Sequence, residues 1–279
     1  MSVLPHNPFN EPDSTQHYLN IYSDAVSTAI RDCDRLAKYL VNQLEVHRLL
    51  KETNLIFTSD HGHANFYKNR GSLLDLDAIF HPDEYIFSAN SLFPGPRKDI
   101  TTKYLYLKLK RIQQHKPIFD LWYKDELPEH FHYKRHRRVG PVVLMARIGH
   151  RISWYGDKAD KDVTISGWHG YGNWYPEMRP FFLAVGPDLK KNYAINTTMG
   201  ERGDLEQVDL YNLMAHLLRV EPAPNDGNFD RIKHILLNNS SGGRSHDYFT
   251  VISLVFSLML GTAVFVLLLE RVRNVVAEW

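Results

Sequence analysis

A long amphipathic helix that runs into a short apolar strand constrains this chain more than any other feature. Over residues 22–51 the side chains Val26, Ile30, Cys33, Leu36, Leu40, Val41 and Leu44 recur at intervals of three and four, while Asp32, Asp34, Arg35 and Lys38 fall on other faces. That spacing predicts a helix with one buried stripe. Residues 54–59 (Asn-Leu-Ile-Phe-Thr-Ser) follow after a short link and read as a strand buried on both faces. Helix then strand is a unit of layered α/β architecture, so the fold is predicted to be α/β, with a mostly parallel sheet flanked by helices. The strand delivers Asp60-His61-Gly62-His63 at its carboxyl end, which is where open α/β sheets hold ligands. Two adjacent ligand-type side chains beside a glycine suit a metal. The plainer reading is a strand cap, with Asp60 accepting backbone N–H groups and His61 a satisfied histidine.

Two further segments end in the same residue types. Glu11-Pro12-Asp13-Ser14 makes a turn that could cap a helix, and Asp13 and His17 then lie four apart on one face. Asp13 as a simple N-cap and His17 as a surface histidine is the competing reading. Residues 164–187 read as a glycine-rich aromatic loop that carries His169 into a strand over 181–185. Its aromatics Trp168, Tyr171, Trp174 and Tyr175 are expected to pack the loop on the core. Together the three segments offer two carboxylates and three imidazoles, a donor set that suits zinc, with room for a pair of ions. The single cysteine, Cys33, excludes an internal disulfide and any thiolate zinc site, and is expected to be a buried apolar residue.

Elsewhere the pattern predicts a helix over 102–114, although Tyr104 to Leu107 also alternates as a strand would. Strands are predicted over 85–88, 117–123 and 140–148, a hairpin partner for the last over 152–155, and a helix over 208–218. The run His130, His132, Lys134, Arg135, His136, Arg137 and Arg138 reads as a solvated or ion-paired loop. The charge balance, 33 basic against 32 acidic residues with a net charge of +1, argues against a nucleic-acid polymer as partner.

The motifs Glu11-Pro12-Asp13-Ser14-Thr15-x-His17, Thr58-Ser59-Asp60-His61-Gly62 and His169-Gly170-Tyr171-x-Asn173 occur in this order. They are followed by Met178-x-Pro180-Phe181 and Gly186-Pro187. In this arrangement the chain resembles the ectonucleotide pyrophosphatase/phosphodiesterase family of the alkaline phosphatase superfamily. The run Leu127-Pro128-Glu129-x-Phe131-His132-Tyr133-Lys134 and the apolar C-terminal segment resemble its type I membrane-anchored members. The resemblance implies an alkaline phosphatase-like sheet, hydrolysis of phosphodiester or pyrophosphate bonds in nucleotide-type substrates, and two zinc ions. By that resemblance Asp13, His17 and His169 would hold one ion, and Asp60 and His61 part of the other. The family's remaining Asp and its Thr or Ser nucleophile come from a segment upstream of the Glu-Pro-Asp motif, so the sheet is expected to be incomplete, the chain N-terminally truncated and the nucleophile unassigned. The chain departs from the family at Gln16 (usually Gly), His63 (usually Met) and Gly172 (usually Asp). His63 could be a spare ligand, but an outward loop histidine is the expected reading. The competing class is a catalytically inactive, membrane-anchored ectodomain or fragment acting by binding.

Residues 249–269 carry no charge and are long enough to cross a bilayer as a helix. Arg271 and Arg273 follow, which predicts a cytosolic tail over 270–279 and an extracellular or lumenal globular part over 1–237. The bilayer is then a partner. A flexible stalk is expected over 238–248. Asn196, Asn238 and Asn239 head glycosylation sequons consistent with that side. Residues 1–12 have no apolar h-region, so no signal peptide is read there, which again suggests a missing start.

Overall fold

The computed structural model describes residues 11–67, 71–88, 90–154, 165–195 and 205–237, and the backbone of two strands at 250–256 and 263–270. In chain order the elements are α1 (Asp13–Tyr18), α2 (Asp24–Val46), β1 (Thr53–Thr58), β2 (Ala64–Tyr67), β3 (Leu73–Asp75), β4 (Tyr85–Ser88), β5 (Ser91–Pro94) and α3 (Thr102–His115). There follow β6 (Phe119–Tyr123), β7 (Val142–Ala146), β8 (Arg151–Ser153), β9 (Ile165–Trp168), β10 (Phe182–Val185), α4 (Asp209–Leu218), α5 (Phe229–Ile232), β11 (Thr250–Phe256) and β12 (Ala263–Glu270). They fall into two compact units. One takes residues up to 13, 29–60 and 180 onward, and the other takes 14–28 and 61–179.

The first unit is built on β1. Its sheet has the order β10-β1-β12-β11. Successive side chains of a strand point to opposite faces, and β1 uses both. Leu55 packs with Leu44 and with Leu40, Val41, Leu49 and Leu50. Ile56 packs with Leu210, Leu213 and Leu217 of α4, Ile232 of α5, and Leu189. Helical residues on either face explain why the strand reads as one continuous apolar run.

Two expectations fail in this sheet. The first is its direction. Both neighbours of β1 run antiparallel to it, and β11 runs antiparallel to β12; the one parallel ladder among the named strands is β3 with β8. Burial on both faces produces the apolar run whatever the direction of the neighbours, so the run could not report it. The α2–β1 unit also has no strand before it among the described residues, because residues 11–23 hold α1 instead.

The second is the transmembrane helix over 249–269. No helix among the described residues is long and apolar enough to cross a membrane. Residues 250–256 and 263–270 instead form paired strands, and β12 lies along β1 from Thr53↔Leu268 to Thr58↔Ala263. Both readings satisfy the backbone polar groups, one within a helix and one across a ladder. An apolar run has no periodicity to separate them, and this one is rich in Val, Ile and Phe, which favour strands. The predicted stalk, the tail beyond Glu270, and Asn196, Asn238 and Asn239 lie outside the described residues.

The second unit has an antiparallel sheet, β4-β5-β7-β6. Helix α3 covers it. Leu105 and Leu109, four apart, are both fully buried among Phe80, Leu92, Phe119 and Leu144. The Thr101 hydroxyl accepts the Tyr104 N–H at 3.1 Å and caps the helix. That cap and the four-residue spacing settle the helix over the strand-like alternation of residues 104–107. Strand β8 pairs with β3 and not with β7, so the predicted hairpin does not form among the described residues. The basic loop is ion-paired in part, since Lys134 and Arg135 both reach Glu129, at 2.7 and 3.3 Å. Cys33 is half-buried, and its thiol donates to the Glu11 carbonyl at 3.3 Å.

Candidate metal centre

A small ladder that the sequence did not reveal organises the site. Strands β2 and β9 pair antiparallel in the register Ala64↔Trp168 to Tyr67↔Ile165. His63 immediately precedes the first of these residues and His169 immediately follows its partner, so the ladder brings the two histidines to the same end. Helix α1 is fastened beside them. The Gly167 N–H donates to the Leu19 carbonyl at 3.0 Å. A Cβ at Gly167 would stand 2.7 Å from the Gln16 carbonyl oxygen, so only glycine permits this approach of strand to helix. The Asn65 side chain completes the fastening: it accepts the Ile21 N–H at 3.0 Å and donates to the Asn20 side-chain oxygen at 3.0 Å. Asp13 and His17, one helical turn apart on α1, are thereby held at the end of the ladder.

The outcome is a compact donor set. One ligand atom from each of Asp13, His17, His63 and His169 lies within 4.8 Å of every other. Asp13 is buried and the three histidines are half-buried. The Nε2 atoms of His17 and His169 are 3.2 Å apart. Two nitrogens bound at 2.0–2.1 Å to one tetrahedral zinc are separated by about 3.3 Å. Carboxylate and imidazole donors in this number fit a borderline divalent ion such as zinc.

Asp60 and His61 stand outside this group of four. Asp60 is exposed. The His61 ring stacks on that of His169, with centroids 3.7 Å apart and planes 12° from parallel, and its Nδ1 lies 3.0 Å from the Gly62 carbonyl oxygen. His63, expected to face outward, is instead inside the group. The available signal was the alternation in Ala64-Asn65-Phe66-Tyr67, too short to stand out as a strand, and its partner was hidden in a glycine-rich aromatic stretch.

Other residues that sequence reasoning passed over support the donors. The Arg151 guanidinium, on a residue 7% exposed, lies 3.8 Å from the centre of the Trp168 ring. Trp168 in turn meets the His17 ring edge-on at 5.2 Å. Tyr171, two residues past His169, is buried, and burial pushes its phenol well above the ordinary range, although Arg151 and the Gly149 N–H draw it down. It is therefore a neutral hydroxyl across the physiological range.

Comparison with known proteins decides the family. Residues 8–172 match the family model described as type I phosphodiesterase / nucleotide pyrophosphatase. The chain belongs to this family. Among curated members, the bis(5'-adenosyl)-triphosphatase enpp4 of Mus musculus is 32% identical over 235 residues, covering 82% of this chain and 47% of the relative. Ectonucleotide pyrophosphatase/phosphodiesterase family member 5 of Homo sapiens is 30% identical over 232 residues, covering 82% of this chain and 45% of the relative. The chain thus spans about half the length of these phosphodiesterases. Among solved structures, murine ectonucleotide pyrophosphatase / phosphodiesterase 5 superposes with a TM-score of 0.67 at 30% identity, over 81% of this chain and 57% of that one. An inactive variant of the same murine protein, solved in complex with AMP, superposes with a TM-score of 0.65. The α/β fold is that of a family ectodomain.

Proposed function

We propose that the chain provides metal-binding residues for zinc-dependent hydrolysis of phosphodiester or pyrophosphate bonds in nucleotide-type substrates. The observation that carries this reading is the meeting of Asp13, His17 and His169, from separate stretches of the chain, in one donor group within a phosphodiesterase-family fold. The AMP bound by the murine relative supports a nucleotide substrate. Zinc held by these residues would supply Lewis-acid polarisation of a phosphoryl oxygen. These residues would hold it: α1 carries Asp13 one turn from His17, and the β2–β9 ladder brings His169 beside them. By family resemblance Asp60 and His61 would contribute to a second ion. The imidazoles ligate only when neutral, so zinc affinity should fall in acid. We also propose that the globular part lies on the lumenal or extracellular side, which protease protection in microsomes would test.

The test is zinc content and turnover of a chromogenic phosphodiester, measured on the full chain alone and fused to a relative's N-terminal segment. Loss of both zinc and rate in His169→Ala is expected. Retention of full zinc and full rate by that variant sinks the reading. A second reading, nucleotide binding without turnover, is favoured by the number of protein donors that could meet on one ion: four is the arrangement of structural zinc sites. AMP binding by calorimetry with no turnover in either form would select it.

A further inference from the structure

Three imidazole rings form a nearly equilateral triangle at the end of the β2–β9 ladder. The centroids of His17 and His63 are 5.2 Å apart, those of His17 and His169 5.0 Å, and those of His63 and His169 5.0 Å. Their planes are turned 76°, 57° and 65° from one another. Rings that pack for burial alone have no reason to keep three equal edges. Three imidazoles on one ion do. With each nitrogen about 2.0–2.1 Å from a tetrahedral zinc and each ring centre about 1.1 Å beyond its nitrogen, the centroids are about 5.1 Å apart. His61 breaks the pattern, lying flat on His169 at 3.7 Å, so the triangle selects His63 and not its neighbour.

We propose that His63 is a direct ligand, completing with Asp13, His17 and His169 a closed four-donor shell around one zinc ion. The proposal rests on the metal-dependent reading of the same site and changes what that ion does. Catalytic zinc keeps three protein ligands and leaves the fourth position to water or substrate, whereas structural zinc fills all four with protein. Here the fourth position is filled from the loop between β1 and β2. Gly62 sets that loop: its N–H donates to the Met178 carbonyl at 3.0 Å, and a Cβ there would lie 2.1 Å from the Glu177 carbonyl oxygen. The ion in this shell locks α1 to the ladder, and a reacting phosphate reaches it only by displacing a protein donor or by entering as a fifth ligand.

Zinc-edge X-ray absorption on the full wild-type chain, loaded with one equivalent of zinc, counts the ligands without any substitution. Three imidazoles with one carboxylate oxygen are expected; two imidazoles with two or more oxygens would overturn the proposal. Competition with a chromophoric chelator adds the residue. His63→Ala should weaken zinc binding by at least about 100-fold, the upper end of what loss of a mere supporting partner costs, and His61→Ala should leave this affinity close to wild type. Equal affinity for wild type and His63→Ala, in a protein with unchanged circular dichroism, would also overturn it. Neither readout depends on turnover, so an absence of hydrolysis with three imidazoles counted defeats the enzyme reading alone.

Discussion

Gly167 and Asp209 show how much single residues carry. Gly167 lets β9 lie against the backbone of α1, and its Cβ would meet both the Gln16 carbonyl oxygen and Ile21 Cγ2, at 2.7 and 2.8 Å. Gly167→Ala should therefore cost about 1–3 kcal/mol by urea denaturation, as overpacking does, and should weaken zinc binding as well, because it pushes His17 from His169. Asp209 is fully buried. It accepts the Arg231 guanidinium at both oxygens, 2.7 and 2.8 Å, and the N–H groups of Glu206 and Asn228. Arg231→Met leaves that carboxylate buried without its cation and should destabilise by about 3 kcal/mol; a change within the error of a denaturation curve would show that the pair is dispensable. What was legible at this scale follows chemistry that spacing can express. Asp13 with His17 is a helical interval, and His169 beside glycines is a local pattern. His63 was not legible, because its place depends on pairing between residues a hundred positions apart, and a lone histidine after a glycine carries no trace of that.

At the scale of elements, helices were legible and strand partners were not. The stripe of α2 and the buried pair Leu105 and Leu109 of α3 are properties of one segment. Which strand lies beside β1, and in which direction, is decided by distant chain. The apolar run 249–269 makes the point, since it reads as a membrane span, while its described residues 250–256 and 263–269 lie in the paired strands β11 and β12. Removing residues 249–279 should strip β1 of one ladder, lower the urea midpoint of the first unit and speed exchange of the β1 amides; an unchanged midpoint would reject the pairing. The corner between β4 and α3 offers a pH test. Burial raises the Glu84 pKa, but the His81 N–H, the Tyr104 hydroxyl and the charges of Lys108 and Arg97 outweigh it, so the carboxyl ends below its ordinary value. A folded pKa below the unfolded one gives stability that is present above the unfolded value, about 4.3 for Glu, and is lost as pH falls through the lower folded value. The stability gap between wild type and Glu84→Gln should be flat above about pH 5 and close below about pH 4. A gap independent of pH would mean that Glu84 acts by shape alone.

For the whole molecule, the division into two units makes metal removal a test with a location. Three of the four donors, His17, His63 and His169, belong to the second unit, residues 14–28 and 61–179, and Asp13 is counted with the first. An ion bound only by folded protein stabilises it by about 2.7 kcal/mol at a hundredfold excess over Kd. For a domain of this order each kcal/mol moves the melting midpoint by roughly 2–4 °C, so chelation should lower the transition of the second unit by roughly 5–10 °C. The first unit holds β1, α4, α5 and the buried Asp209, and Asp13 alone of the four donors. Amide exchange with and without chelator should then differ most in α1, β2 and β9, and little in α4 and α5. A shift spread evenly over both units would show that the ion stabilises the molecule through something other than the α1–ladder junction. Sequence could announce Asp13, His17 and His169 as donors, but not His63. That the three histidines belong to one cluster becomes visible only when the β2–β9 ladder has brought residues 63 and 169 to the same end.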